Sequence, residues 1–251
     1  MSDGANVEVR HGADGRIALM TLNRPEKHNA LSIALLRDLV EACHQLNRAP
    51  DVRVVIIRGA GDKAFSAGFD LVDLASGDAS GAQLGFDATE AIDRLRPVTI
   101  AAIQGHCIGG GVVLASACNL RIAAASTRFR VPEIDVGIPL AWSGLPRLVR
   151  ELGPAITNEL VMTGRPFSAE EAHSWRFVNR VVVDDLLESA AMKLAETIAS
   201  KPRLGVFATK QQVRIASEHI VSTAASDMDR TLIASAGADA ESRETMRDYL
   251  K

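Results

Sequence analysis

Three observations in this 251-residue sequence predict an α/β fold with a helical C-terminal region. Short β-branched runs alternate with apolar residues at helical spacing through the first half. Two glycine-containing turns each follow one of those runs directly. After Pro132 helical spacing takes over, and neither an internal repeat nor a clear linker interrupts the chain. The expected organisation is an α/β core over residues 1–190 and a helical region over 191–251, both parts of one functional unit.

Residues 7–9 and 17–22 read as strands, the second broken by Arg24-Pro25. Between Ser32 and Asn47, Leu35, Leu36, Leu39, Val40, Cys43 and Leu46 recur at helical spacing. VRVVIIR (52–58) is a β-branched run suited to a buried strand. ASGDASGAQLG (75–85) is small and polar, so a mobile loop or frayed helix is expected there. A helix through Leu95, a strand over 98–103, a glycine stretch and a strand near 120–124 follow. Ser168-Ala-Glu-Glu171 forms a capping-box pattern, and helices are expected over 184–200, 203–217 and at the C-terminus.

Composition narrows the function classes. With 47% hydrophobic and 24% charged residues, the chain has the balance of a folded protein. A formal charge of −3 offers no global attraction for nucleic acid or acidic membranes. The three cysteines, Cys43, Cys107 and Cys118, form no CxxC pair, which suggests neither a disulfide framework nor a zinc site. The first residues lack the apolar core of a signal peptide, and no apolar run approaches a membrane span. A cytoplasmic location is therefore expected.

The chemistry concentrates in two turns. GHCIGGGVVLASAC (105–118) places three consecutive glycines before an apolar helix, although each glycine loses about 0.5–1 kcal/mol against alanine in a helix. A tight turn, close helix packing, or a ligand touching the backbone would compensate. AFSAGFDL (64–71) is the second turn, again directly after a strand. Both can present backbone N–H groups, and a helix opening at Gly110 directs its positive end toward an anion. Two such amides would make an oxyanion hole.

LNRPEKHNAL (22–31), AFSAGFDL (64–71), QGHCIGGG (104–111) and VPEIDVGIP (131–139) occur in this order. Together they resemble the crotonase superfamily, the enoyl-CoA hydratase/isomerase family, from about Ile17 to the C-terminal helices. The resemblance implies a spiral of ββα units, trimers or dimers of trimers, and stabilisation of a CoA-thioester enolate by two backbone amides. By motif position those amides belong to Phe69 and Gly110, beside Gly68 and Gly109. Glu133 matches the family's catalytic glutamate and would move a proton beside the thioester carbonyl. CoA would be held around Lys27, Ala30, Ala67, Asp70 and Leu71, with Lys27 near a phosphate and Trp142 shaping the acyl pocket. CoA then enters as the substrate thioester, and no separate cofactor, metal or nucleic-acid partner is implied.

One family position differs. Hydratases of this family carry a second glutamate two positions after the triple glycine, and here that residue is Val113. A single base favours double-bond isomerisation, with 2-enoyl-CoA hydration as the alternative, unless Asp135 assists Glu133. His106, Cys107, Ser143 and Ser66 are weaker candidates, the last because no GxSxG elbow surrounds it. Two further classes are a catalytically silent CoA-binding protein and an RNA-binding relative. The retained Glu133 and glycine turns disfavour the first, and the acidic balance disfavours the second.

Overall fold

The computed structural model describes residues 5–78, 80–223 and 227–250. Strands β1 (Val7–His11) and β2 (Ile17–Leu22) lead into α1 (Ile33–Arg48). Strand–strand–helix units follow. The first is β3 (Val54–Gly59), β4 (Ala64–Ser66), α2 (Leu71–Ser76) and α3 (Ser80–Asp93). The second is β5 (Val98–Ile103), β6 (His106–Ile108) and α4 (Gly110–Ser116), and the third is β7 (Leu120–Ala124), β8 (Arg128–Arg130) and α5 (Gly144–Thr163). The chain continues through β9 (Phe167–Ser168), α6 (Ala169–Ser174) and β10 (Arg180–Val182). Helices α7 (Leu187–Ala199), α8 (Arg203–Ile220), α9 (Asp227–Ala238) and α10 (Ala240–Tyr249) complete it.

Each unit contributes its first strand to one sheet and its second strand to another. Among the described residues the larger sheet has the order β1-β2-β3-β5-β7-β10, and the smaller β4-β6-β8-β9. Pairing is parallel except at β1–β2 and β8–β9. This is the expected spiral of ββα units. It explains why the sequence hid half of the strands, since runs of two or three residues show no alternation to read.

Sheet position explains the unbroken β-branched runs. Val55 and Ile57 of β3 point into the cluster that holds Leu35, Leu36 and Leu39 of α1 and Val112 and Val113 of α4. Val54 and Ile56, on the opposite face, pack with Ile100, Ile122 and the α7 residues Leu187, Ala191, Ala195 and Ala199. Both sheet faces are thus covered, which removes any need for polar alternation. Alanines every fourth residue let α7 lie close on its face.

Helix ends follow local chemistry. The Ser32 hydroxyl accepts from Leu35 N–H at 3.1 Å to start α1. The capping box is present at α6, where Ser168 and Glu171 satisfy each other's backbone N–H groups. In α5, Gly153 has φ 75° and Pro154 follows, so two helical pieces meet at a kink.

Of the two readings of residues 75–85, mobile loop or frayed helix, the helical one describes most of the stretch: α2 ends at Ser76 and α3 already begins at Ser80. Its glycines are packing positions. A Cβ on Gly81 would lie 2.5 Å from the Phe69 ring, and one on Gly85 would lie 1.8 Å from Trp142 Cε2. Alanine at position 85 would gain roughly 1 kcal/mol of helix propensity. Overpacking against the indole costs typically about 1–3 kcal/mol, and here the clash wins. Gly85→Ala should therefore lower stability by about 1–2 kcal/mol in urea unfolding, and an unchanged or raised midpoint would contradict this packing.

Candidate active site

The three glycines at the start of α4 do different jobs. Gly109 precedes the helix with φ 48°, a conformation that favours glycine, and donates its N–H to Arg130 O at 2.8 Å. A Cβ there would lie 2.5 Å from Glu133 Oε1. One on Gly110 would lie 2.3 Å from Trp142 Cζ3, and one on Gly111 3.0 Å from Ser66 Cβ and backbone oxygen. Close packing and an open amide are both present. Gly110 begins the helix, so its N–H has no intrahelical acceptor, and among the described residues none accepts it.

The other amide is aimed by a parallel bridge. Leu31 N–H donates to Gly68 O at 2.8 Å, and Asp70 N–H donates to Leu31 O at 3.2 Å. This pattern spends the groups on either side of Phe69 and turns the Phe69 N–H away from Leu31. No acceptor among the described residues takes that N–H. Gly68, at φ +90°, is so close to the other turn that its Cβ would sit 3.0 Å from Ile108 O and 3.7 Å from Gly110 N. The two free amides are therefore neighbours.

Glu133 opens a short 3₁₀ turn after Pro132. Its Oε2 is buried and accepts no hydrogen bond from the protein. Burial pushes the carboxyl up to about 7, offset in small part by its own backbone N–H. Phe69, Gly110, Val113, Glu133 and Trp142 all line one cavity of about 450 Å³. A larger cavity of about 630 Å³, between α5, α7 and α8, contains none of the predicted site residues.

The expected CoA-binding residues lie outside that cavity's lining, along the turns that lead to it. Lys27 is exposed, and Leu71 is 47% exposed at the start of α2. Ala30 N–H donates to Lys27 O at 3.0 Å and Ala67 N–H to His28 O at 2.9 Å, so both amides are already spent. Asp70 caps α2 through Val72 N–H at 2.9 Å and pairs with Arg24 at 2.8 Å. Burial alone would raise the Asp70 carboxyl, but the Arg24 guanidinium and the Val72 N–H outweigh it and hold it below the usual carboxylate range.

This architecture has close counterparts. The family model for enoyl-CoA hydratase/isomerase matches residues 12–251. The chain belongs to the enoyl-CoA hydratase/isomerase family. A carnitinyl-CoA dehydratase of Salmonella typhi is 41% identical over 209 residues, 82% of this chain and 79% of the relative. A Bacillus anthracis enoyl-CoA hydratase structure superposes with a TM-score of 0.81 at 34% identity, covering 92% of this chain and 90% of that one. A monofunctional enoyl CoA isomerase from M. smegmatis gives a TM-score of 0.75 at 32% identity, covering 86% and 95%. Family membership makes the chain a crotonase-type enzyme, and these relatives include a dehydratase, a hydratase and an isomerase.

Within this family framework the weaker candidates have other duties. His106 is exposed while the adjacent Cys107 is fully buried, because successive side chains on a strand point to opposite faces. Burial also drives the Cys107 thiol well above its usual range, so no nucleophilic pair forms. Ser66 donates its hydroxyl to Asn29 O at 2.9 Å, tying the two motif turns together. Asp135 is paired with Arg130 at 2.6 Å and does not line the Glu133 cavity. Ser143 N–H donates to Asp229 Oδ2 at 3.0 Å, and its fully buried side chain does not line the cavity either.

Sequence reading missed Arg24 and Asn29 inside a motif it had quoted. Asn29 adopts φ 55°, is fully buried, and donates to Ala60 O at 2.9 Å and Ala64 O at 2.8 Å. The signal was available, since asparagine tolerates left-handed backbone and bonds locally. It also missed Asp73, Asp78, Ile233 and Met246, which line the cavity. The last two come from α9 and α10 and carry no motif.

Glu133 has a measurable effect on stability. Raised in the folded state from an ordinary 4.5 to about 7, it is neutral in both states at low pH and opposes folding as pH rises through that window. Glu133→Gln should therefore leave stability near pH 4 unchanged. Above pH 8 it should add up to about 3 kcal/mol, from roughly 1.4 kcal/mol per pKa unit. Equal gains at both pH values in denaturant unfolding would refute the buried, unpartnered carboxylate.

Proposed function

We propose that this enzyme processes acyl-CoA thioesters by proton transfer at the carbon beside the thioester carbonyl, and that its reaction is enoyl-CoA double-bond isomerisation. The carrying observation is convergence: the Glu133 carboxylate, its Oε2 buried and unpartnered, and two neighbouring free amides border one cavity. The Glu133 carboxylate removes a proton from C2 of a 3-enoyl-CoA. The C–H electron pair passes into a dienolate whose oxygen is held by the Phe69 and Gly110 amides. Protonated Glu133 then returns the proton at C4, leaving the double bond between C2 and C3. One group with a pKa about 7 suits both directions of transfer.

Val113 supports this choice. It is fully buried and lines the cavity where the family's hydratases carry a second glutamate, and Asp135 is engaged by Arg130. With no second carboxylate at that place, orienting a water molecule is harder than moving a proton along the substrate. The second reading is hydration or its reverse, dehydration, favoured by the 41% identity to the carnitinyl-CoA dehydratase. In either reading Lys27, Ala30, Ala67, Asp70 and Leu71 border the path of the CoA moiety. The protein is expected to assemble as a trimer or dimer of trimers, which light scattering would check.

Three outcomes test the reading. Glu133→Gln should keep thioester binding while lowering turnover at least about a hundredfold, the scale of general acid–base catalysis; near-normal turnover by the folded variant would remove Glu133 from the mechanism. The wild-type rate should rise with pH through about 7 as the base ionises. A panel of thioesters in deuterated water, read by mass spectrometry, should show 3-enoyl-CoA isomerised faster than 2-enoyl-CoA is hydrated. Rapid hydration without isomerisation would reverse that order and establish the second reading.

A further inference from the structure

The larger cavity, of about 630 Å³, lies at the opposite end of α4 from the Glu133 cavity. Gly110 opens the helix beside Glu133, and Ser116 closes it against this second space. The two cavities share no described lining residue. Val98, Leu120, Ile198, Val206 and Val213 wall the larger one. They offer apolar contact to a hydrocarbon segment. Val213 is 60% exposed, so the cavity reaches the surface beside α8.

Charge around this cavity is uneven. Asp93 and Glu151 line it, against Arg147, Arg150, Lys201, Lys210 and Arg214. Both carboxylates are engaged: Asp93 lies 3.6 Å from Arg147, and Glu151 pairs with Arg121. Arg150 is matched by Glu218 at 2.7 Å. Lys201, Lys210 and Arg214 have no ion pair among the described residues.

Two of the cations are buried with a donor to spare. Lys210 is 7% exposed, and its ammonium donates to Leu95 O at 2.5 Å and Pro97 O at 2.7 Å. An ammonium has three N–H donors, so one remains without a described acceptor. Burial lowers Lys210 to about 8 and the charge of Asp93 opposes that shift, so it is still mostly a cation at neutral pH. Arg147 is 2% exposed, and its Nε is buried without an acceptor. Asp93 borders both groups, and the charge of Arg214 also acts on Lys210.

These features select a guest. A cation would be repelled, and a neutral hydrocarbon would leave the buried donors unsatisfied. A small inorganic anion would leave the apolar walls unused. An anionic head on an apolar tail answers both, through charge-assisted hydrogen bonds at one end and burial at the other.

We propose that this cavity is a second ligand site, separate from the acyl site, for a carboxylate with an aliphatic tail. Lys210 and Arg214 hold its head, Arg147 Nε supplies a further donor, and the aliphatic wall between α7 and α8 takes the tail.

Four probes separate head from tail. Octanoate, octanol and octyltrimethylammonium share the tail, and acetate has the head alone. Titrated calorimetrically into the full-length protein in its native assembly at pH 7, octanoate should bind at least about tenfold tighter than each of the others, a difference of about 1.4 kcal/mol. Lys210→Gln, which keeps an N–H donor without the charge, should weaken octanoate at least about fivefold. Arg214→Gln, at a half-buried position, should weaken it at least about threefold, and decides alone if Lys210→Gln does not fold. Trp142→Leu, in the other cavity, should leave octanoate affinity unchanged. Equal affinity for octanoate and octanol, or wild-type octanoate affinity in the folded charge variants, would overturn the inference. So would loss of octanoate binding in Trp142→Leu, which would move the ligand to the acyl cavity. A native assembly that binds no octanoate, as when a second copy of the chain fills the space, overturns it as well.

Discussion

Helix α4 begins where three residues in succession lack side chains, and the atoms that would collide with a Cβ there are atoms of the site itself. Glu133 presses on Gly109, Trp142 on Gly110 and Ser66 on Gly111. The whole helix is buried, so its first amide can reach the cavity only because nothing projects from the backbone around it. The loss of helix propensity at three glycines is offset by the close packing of the motif turns and by the free N–H groups left between them. The other elements hold this approach in place. The spiral delivers the ends of β4, β6 and β8 side by side, and the smaller sheet sets their spacing.

Electrostatics divides the interior into satisfied and unsatisfied charges. Arg147, 2% exposed, pairs with Glu90 at 2.6 Å and approaches Asp93 at 3.6 Å. Lys210 is buried, and its ammonium donates to Leu95 O at 2.5 Å and Pro97 O at 2.7 Å; burial still lowers it to about 8. These groups follow the ordinary rule that buried charge is paired or hydrogen-bonded. Arg147 leaves its Nε unpartnered but keeps its charge paired, whereas Glu133, with its Oε2 unpartnered, has no ion pair among the described residues. A protein tolerates such a destabilising group where the group is used, and the cavity beside it is where a substrate proton would be found.

The C-terminal helices belong to this site as well as to the fold. Asp229 of α9 accepts the Ser143 N–H at 3.0 Å, which steadies the left-handed backbone at Trp142 and Ser143. Ser242 of α10 lies so close to Gly137 that a Cβ there would come within 2.5 Å of its carbonyl oxygen. Ile233, Ala234, Gly237 and Met246 then wall the cavity. Below them, α7 covers the second face of the large sheet, so the chain after Leu187 stabilises the core and shapes the site at once.

The fold class, the long strands β2, β3, β5 and β7, helix α1 and the capping box at α6 were legible because period and capping are local properties of a chain. The four motifs were legible for the same reason: Glu133, Phe69 and Gly110 sit at short, ordered offsets within them. Other features needed the folded chain. Strands β4, β6, β8 and β9 span two or three residues, too few to carry a period, and exist only because neighbouring strands pair with them. The glycine-rich stretch at 80–85 looks like a loop until two aromatic rings from elsewhere occupy the space its side chains would need. The acidic, aromatic lining of the cavity joins residues tens of positions apart, from Phe69 to Met246. Burial and charge at a site are sums over such distant neighbours, and one-dimensional order does not contain them.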